Sequence, residues 1–524
     1  MSAVNKLIPQ GSRRGASLAL LVFALVVMVS AFAQVGLARD NKLPVGVFGY
    51  GIIITALAAV AYLVVARWTP YADPLLVPLA VFLNGIGLAI IYRIDQKTIK
   101  SVADAVAASK AHCKSVLAAD PTAHCAVFTP YGTGASIATQ LMWTALSIAL
   151  FTGAVIMLKD VKVLGKYTYI LGISGLIFLV LPVFFPGING AKVWITIPGV
   201  GSVQPAEFSK FALVAFFAGY LAKNGPAMAV VGRKIGPFAL PRARHLMPII
   251  VIWLISIMIL VIQNDFGFQL LFFGLLISML YIGTGRAIWV VIGIGLFVLG
   301  ALGIYLLAKA MGGGPLEHLL QRVEIWLDPQ AYFNGGCKLR NGQVLSQFAD
   351  AHPKTPIGDC TKLGGRYSDS SQLMQGLFAM GQGGVLGTGL GQGQPFITPL
   401  AFSDEIVTSL GEELGLTGLM AILAIYMLLI QRGFKTALAC RDAYSKLFAG
   451  GVSFVFALQI FVIVGGVSKL IPFAGITTPF MAQGGSSLLA NWILIAILVR
   501  LSDQARRPAP QSIQDEGLTQ VVQL

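Results

Sequence analysis

Apolar runs of membrane-crossing length recur along the chain at about 17–38, 45–66, 74–92, 138–157, 165–186, 204–222, 245–263, 266–284, 287–308, 404–430, 447–471 and 480–500. A bilayer core about 30 Å thick needs ~20 apolar residues in a helix, and each run meets that length. The pattern predicts an all-α, polytopic bundle of about twelve transmembrane helices. The first run follows MSAVNKLIPQGSRRGAS and resembles a signal sequence. It spans about 20 residues with no convincing cleavage site, so we read it as an uncleaved helix. Two stretches interrupt the pattern: residues 93–137 and, far longer, 309–403. Loops beyond about 15 residues are usually functional or disordered. The longer one contains GLFAMGQGGVLGTGLGQGQPFITP, whose glycines suit close backbone approach or a mobile lid. It lacks GK[ST] and is not a nucleotide loop. Residues 504–524 read as a disordered tail.

Composition agrees: 56% hydrophobic, 11% charged, mean hydropathy +0.79. The net charge of +15 would suit nucleic acid, but the basic residues sit in alternate short loops. These include Lys6, Arg13 and Arg14; Lys159, Lys162 and Lys166; Arg233, Lys234, Arg242 and Arg244; Arg432, Lys435 and Arg441; and Arg500, Arg506 and Arg507. All fall on one side of an even-numbered bundle. That places the loops and both termini in the cytoplasm, and argues against nucleic-acid binding. Cys113 and Cys125 share one predicted outer loop, Cys337 and Cys360 another, while Cys440 lies inside. Paired outside and single inside fits an oxidising exterior. The spacing allows two intra-loop disulfides or four free thiols.

Four stretches carry candidate chemistry. In LAFSDEIVTSLGEELG, Asp404 opens a membrane helix, with Glu412 and Glu413 two turns further in. Carboxylates at a membrane edge are expensive and ask for a functional reading. In NGAKVWITIPGVGSVQPAEFSK, Gln204 and Pro205 start a helix that puts Glu207 and Lys210 on one face. They form either a membrane-edge ion pair or a polar patch on a substrate channel; Lys192 and Trp194 before them suit a phosphate headgroup or simple anchoring. Asp265, in the turn NDFG, is turn chemistry or part of a site. Gln483, Ser486 and Ser487 in MAQGGSS suit close helix packing or a polar substrate contact. The five histidines form no HExxH, and there is no GxSxG, so neither zinc hydrolysis nor a lipase-type nucleophile is supported. No metal cluster is legible.

These motifs together resemble the SEDS family (shape, elongation, division and sporulation), over residues 74–503. Asp404 with GEELGLTG, QPAEFSK, NDFG, GGVLGTGLGQG and MAQGGSS occur in family order. The actinobacterial, RodA-type members look most similar. The resemblance implies a ten-helix core preceded by two extra helices in residues 1–73, with the outer loop 309–403 inside the core. It also implies a peptidoglycan glycosyltransferase that polymerises lipid II at the outer face of the cytoplasmic membrane, for elongation and cell shape. Asp404 matches the family's catalytic aspartate. Gln204, Glu207 and Lys210 match its QPSE-x-x-K positions, and Asp265 its PDLG turn. Departures are Pro399 to Ser403 in place of Pro-Glu-x-His-Thr, Ala206 for a serine, and Val193 for a basic residue. A class B penicillin-binding protein is the implied partner, and Mg²⁺ or Mn²⁺ enters by analogy only.

The chemistry follows from the substrate. A sugar hydroxyl is a weak nucleophile, and a carboxylate within hydrogen-bond reach takes its proton as the new bond forms. Asp404 is assigned that role, with Lys192 and Lys210 as candidates to offset charge on the departing pyrophosphate. The competing readings are a lipid II flippase or other transporter, a division-type polymerase of the same family, and a scaffold that only recruits a partner enzyme.

Overall fold

The computed structural model describes residues 14–40, 45–95, 111, 114–115, 118, 135–187, 192–197, 201–229, 233–235, 238–240, 243–310, 317–333, 336–338, 344–346 and 366–508. Fourteen α-helices are labelled here in chain order: α1 (Arg14–Asp40), α2 (Val45–Trp68), α3 (Leu76–Asp95), α4 (Ile137–Met157), α5 (Thr168–Val180), α6 (Ala206–Ala229) and α7 (Ala243–Gln263). They continue with α8 (Phe266–Thr284), α9 (Ile288–Ala310), α10 (Glu317–Leu327), α11 (Ser371–Gly383), α12 (Ile406–Ala439), α13 (Ala443–Val467) and α14 (Gly485–Arg506). Short antiparallel pairs lie between α5 and α6 and between α6 and α7; a three-stranded sheet lies between α10 and α11.

Eleven segments among the described residues are long and apolar enough to cross a membrane. One of them, Val161–Phe184, joins α5 to the 3₁₀ turns on either side of it. The remaining predicted run is α6. Glu207, Lys210 and Lys223 make it too polar to qualify by composition, yet it packs along α5, α8 and α13. At 1.5 Å per residue its 24 residues reach about 36 Å, enough to span. The chain is thus a multi-pass helical membrane protein, and the polar helix is affordable because its charges are shared inside the bundle.

Burial separates centre from rim. In α14, α3 and α13, 89%, 83% and 72% of the apolar window is buried, against 6% in α9. Helices apolar on every side are expected in lipid. The centre is pinned by Trp492, whose ring meets Phe151 at 5.4 Å and Phe480 at 5.9 Å. Phe480 belongs to an irregular stretch, residues 468–484, that leaves α13 and runs back through the bundle to α14. Non-helical backbone at this depth needs protein partners. It has them: Asn84 Nδ2 and Tyr426 Oη donate to the carbonyls of Phe480 and Pro479, and Gln459 Nε2 donates to that of Thr477.

The long predicted loop carries two helices, α10 and α11, which the sequence reading left as loop. Beyond α11 the glycines serve backbone approach, the first of the two expected uses. Gly415 (φ 67°, ψ −173°) breaks α12 into a short limb, residues 406–414, and a membrane limb, residues 416–439. The loop lies over that break, with Thr388 and Gly389 donating to the carbonyls of Glu412 and Glu413. A Cβ on Gly415 would sit 2.3 Å from the amide nitrogen of Gly387. Glu412 and Glu413 therefore do not continue one helix from Asp404 into the membrane. They anchor the loop: Glu412 Oε1 accepts from Gln394 N at 2.7 Å, and Glu413 pairs with Arg93 at 2.9 Å, both side chains buried.

Cys113, Cys125 and Cys360 lie outside the described residues, and Cys337 is described only as strand backbone, so the disulfide expectation falls outside them too. Cys440 is a free thiol.

Candidate active site

The C-terminal ends of α3, α7 and α13 meet the N-terminal ends of α4, α6, α8, α12 and α14. This is the alternation expected if each helix crosses once and α6 counts among them. At the opposite end, Asp73 before α3 pairs with Arg506 of α14 at 2.5 Å, and Asp442 before α13 with Lys162 at 3.4 Å.

Each candidate residue is placed by a local rule. Asp265 caps α8: its Oδ1 accepts from Phe268 N at 3.0 Å. The preceding Asn264 takes the left-handed conformation (φ 59°) that asparagine tolerates in tight turns. Gln204 precedes α6, where its amide donates to Ser486 Oγ at 2.9 Å and its side chain to Asp265 Oδ2 at 3.5 Å. One helical turn on, Glu207 and Lys210 form a fully buried ion pair at 2.6 Å. Lys210 Nζ also donates to Gln459 Oε1 at 2.9 Å, and Thr477 Oγ1 donates to Glu207 Oε1.

Asp404 is half-buried in the turn between Leu400 (φ 54°) and α12. A leucine in that conformation costs of order 1–3 kcal/mol and persists only when its surroundings impose it. Here Phe402 O accepts from Gln483 N at 2.8 Å, and Ser409 Oγ donates to Ala401 O at 3.2 Å. Ser403 Oγ donates to Asp404 Oδ1 at 3.1 Å. Oδ2 points at Gly475 in the irregular stretch, 3.6 Å from where a Cβ would be. The same point stands within 4.0 Å of both terminal nitrogens of Arg322 from α10, whose Nη1 donates to Phe473 O at 2.6 Å. Asp404, Arg322, Asp265 and Glu207 are close enough to act on each other's charge.

Burial pushes the Asp265 carboxyl up to about 6, partly countered by the Phe268 N–H and by Arg322. Burial likewise raises Asp404 above the ordinary carboxylate range, with Ser403 and Arg322 opposing it. A carboxylate with raised proton affinity is a better acceptor for a hydroxyl proton.

The structure thus gathers Asp404, Asp265, Gln204, Glu207 and Lys210. Gln483, Ser486 and Ser487 serve as ties: Gln483 Oε1 accepts from Ser136 N, Ser486 from Gln204, and Ser487 Oγ from Asn491. Lys192 is exposed and Trp194 half-buried at the rim, Lys192 N donating to Gln263 O. Arg322 was missed. Its helix, EHLLQRVEIWL, has apolar residues at helical spacing, which was the available signal. Separately, α1, α3 and α12 line an open cavity of about 240 Å³, mainly with apolar side chains such as Val27, Phe82, Ile86, Leu414 and Ile422.

A family model described as a cell cycle protein, FtsW/RodA/SpoVE, matches residues 125–349 and 355–507. The chain belongs to this family. It is 39% identical over 504 residues to the peptidoglycan glycosyltransferase RodA of Mycobacterium tuberculosis (strain H37Rv), covering 95% of this chain and 92% of that protein. The corresponding RodA of Mycobacterium leprae is 38% identical over 500 residues, with the same coverages. A probable peptidoglycan glycosyltransferase FtsW from Geobacter sp. (strain M18) is 30% identical over 341 residues, covering 64% of this chain and 78% of that one. Among solved structures, the Thermus thermophilus rod shape determining protein RodA aligns with a TM-score of 0.41 at 18% identity, over 88% of this chain and 98% of that one. A chain from a study of a peptidoglycan synthase complex aligns at 0.46 and 19%, over 87% and 98%. Family members are peptidoglycan glycosyltransferases by name in both the RodA and FtsW branches.

Glu405, next to Asp404, is a family-site neighbour that the sequence reading passed over. It is fully buried, its carboxyl lying against Gly376 of α11 with Thr408 as its hydrogen-bonding neighbour. Burial, then the nearby Asp404, pushes it up to about 8. Between the ordinary glutamate value of 4.5 and about 8, the folded state keeps the proton that the unfolded chain releases. Stability therefore falls as pH rises through that window and levels off above it. Glu405→Gln should remove this dependence. Melting temperatures of variant and parent should lie close at pH 5 and diverge towards pH 8, with the variant higher; parallel curves would show that Glu405 is not buried as an acid.

Proposed function

We propose that this chain polymerises lipid II into glycan strands at the outer face of the cytoplasmic membrane, serving elongation and cell shape. The observation that carries the reading is Asp404, half-buried in a turn where helix ends meet and sharing with Arg322 the open face of Gly475. The basic loops share the Asp73–Arg506 end, which supports an orientation with that end in the cytoplasm and Asp404 outside.

The substrate has a prenyl chain that belongs in hydrocarbon and sugars that belong in water, and a site at the ends of membrane helices serves both. Asp404 takes the proton of the acceptor sugar hydroxyl as that oxygen attacks the anomeric carbon of the donor. Pyrophosphate is a good leaving group, so no second carboxylic acid of the glycosidase kind is needed. The apolar cavity beside α1 supports a seat for part of the prenyl chain.

We route no step through Mg²⁺ or Mn²⁺. No group of three or more His, Cys, Asp or Glu side chains gathers among the described residues. Asp404 and Asp265 share Arg322 as counter-charge, a set that does not suit a divalent cation. A class B penicillin-binding protein, which would cross-link the strands, is the proposed partner.

Purified protein incubated with labelled lipid II, with and without that partner, should give polymer on a gel. Label crossing vesicles without polymer would instead identify a carrier.

A further inference from the structure

We infer that Arg322, from the loop helix α10, is the group that holds the pyrophosphate of the lipid-linked donor beside Asp404. This rests on the polymerase reading above and names the cation that the reading leaves unassigned.

The two buried cations of the cleft, Lys210 and Arg93, are committed. Lys210 is fully buried and spends its charge on Glu207, at 2.6 Å, and its remaining donor capacity on Gln459. Arg93 is buried and bonded to Glu413 and to the Gly393 carbonyl. Lys192 is exposed at the rim, with its backbone on Gln263. Arg322 differs. It is half-buried, and its Nη1 donates to Phe473 O at 2.6 Å, which fixes the plane of the guanidinium. Trp326 Nε1 of the same helix donates to Lys469 O at 3.1 Å, so α10 is pinned twice along the irregular stretch. The arginine feels Asp404 and Asp265, yet neither carboxylate comes within the 4.0 Å of an ion pair. Among the described residues, its outer N–H edge has no partner.

Gly475 makes the gap. It adopts φ 63°, and a Cβ there would stand 3.6 Å from Asp404 Oδ2 and 3.9 and 4.0 Å from the two terminal nitrogens of Arg322. A base and a cation thus border one small space. Asp265 does not compete strongly for the arginine, since its oxygens already accept from Phe268 N and Gln204 Nε2.

The chemistry needs this arrangement. The acceptor hydroxyl gives its proton to Asp404 as its oxygen bonds to the anomeric carbon. The bond from that carbon to the phosphate oxygen breaks, and its electron pair stays on the pyrophosphate. Charge grows on that oxygen, and a planar guanidinium meets it with two parallel N–H groups. A donor aimed at developing charge is worth about 10²–10³ in rate.

The test is binding, measured apart from turnover. Undecaprenyl pyrophosphate and undecaprenol are titrated against the parent, Arg322→Gln and Arg322→Lys in the same detergent, with thermal melting as the check on folding. The parent should prefer the pyrophosphate. Arg322→Gln should weaken pyrophosphate binding by about tenfold or more and leave undecaprenol unchanged, as expected for a lost charge-assisted pair. Arg322→Lys, which keeps the charge without the fork, should fall between them, and it decides the matter alone if the glutamine variant does not fold. Unchanged preference for the pyrophosphate in a folded variant overturns the assignment. If Arg322 merely tuned Asp404, substitution would move the acid limb of the rate profile and leave this binding intact, which also overturns it. Absence of polymer from the parent would count against the polymerase reading and would leave the binding result standing by itself.

Discussion

Asp404→Asn should fold like the parent, bind lipid-linked substrate and make no glycan. General-base catalysis contributes about 10²–10⁴ in rate, and an amide of the same shape cannot accept the hydroxyl's proton. The Asn side chain can still accept from Ser403 Oγ, so the turn from Leu400 is not asked to rearrange. Burial raises the Asp404 carboxyl, which means that removing its charge relieves a cost in the folded state. The melting temperature should therefore hold or rise while polymerisation disappears. The parent's pH profile supplies the second half of the result. The base works only when deprotonated, so the rate should climb with pH through an acid limb displaced upward from the ordinary carboxylate range, then level off. Full polymerising activity in the purified variant would remove Asp404 from the reaction.

How much of this was legible beforehand depended on the kind of signal each residue carries. Hydropathy shows a helix by its length in lipid, so the membrane runs were readable, including α6 despite its charges. The break at Gly415 was not: the run from Ile406 to Ala439 contains no proline, and a single glycine inside a helical pattern usually costs only about 1 kcal/mol. Its backbone conformation and the approach of residues 385–387 explain why a glycine must stand there. Glu412 and Glu413 do stand two turns after Asp404, but their role as loop anchors depends on Gln394 and Arg93 and was not readable from spacing. Glu207 and Lys210 could be put on one helix face by their spacing, but whether that face met a channel depended on Gln459 and Thr477, about 250 residues or more away. Arg322 had no readable role at all. It comes from a long polar loop with balanced charges, and its importance arises only when α10 lies along residues 469–473. Local pattern fixes elements, while the meeting of side chains from distant elements is decided by tertiary packing.

Glu207 and Lys210 are the place where that packing has the largest consequence for stability. Both side chains are 0% exposed and 2.6 Å apart. Desolvating two charges is costly, and each is tolerated only because the other is present. Lys210→Met leaves Glu207 buried with no counter-ion, and Glu207→Gln strands the ammonium between Gln459 and the ring of Phe268, 5.9 Å away. Each single change should lower stability by about 3–5 kcal/mol, the range for breaking a buried pair. The double variant removes both charges at once and should recover most of that loss, since a matched neutral pair carries no uncompensated desolvation. Thermal melting of the parent, both singles and the double closes the cycle, and the coupling energy is read from the departure from additivity. Activity per folded molecule separates this from a role in the channel. A pair that only holds α6 against α13 leaves turnover of the surviving folded protein unchanged. If Lys210→Met melts with the parent but uses lipid-linked substrate poorly, the lysine faces the substrate, and the buried pair is not what keeps it there.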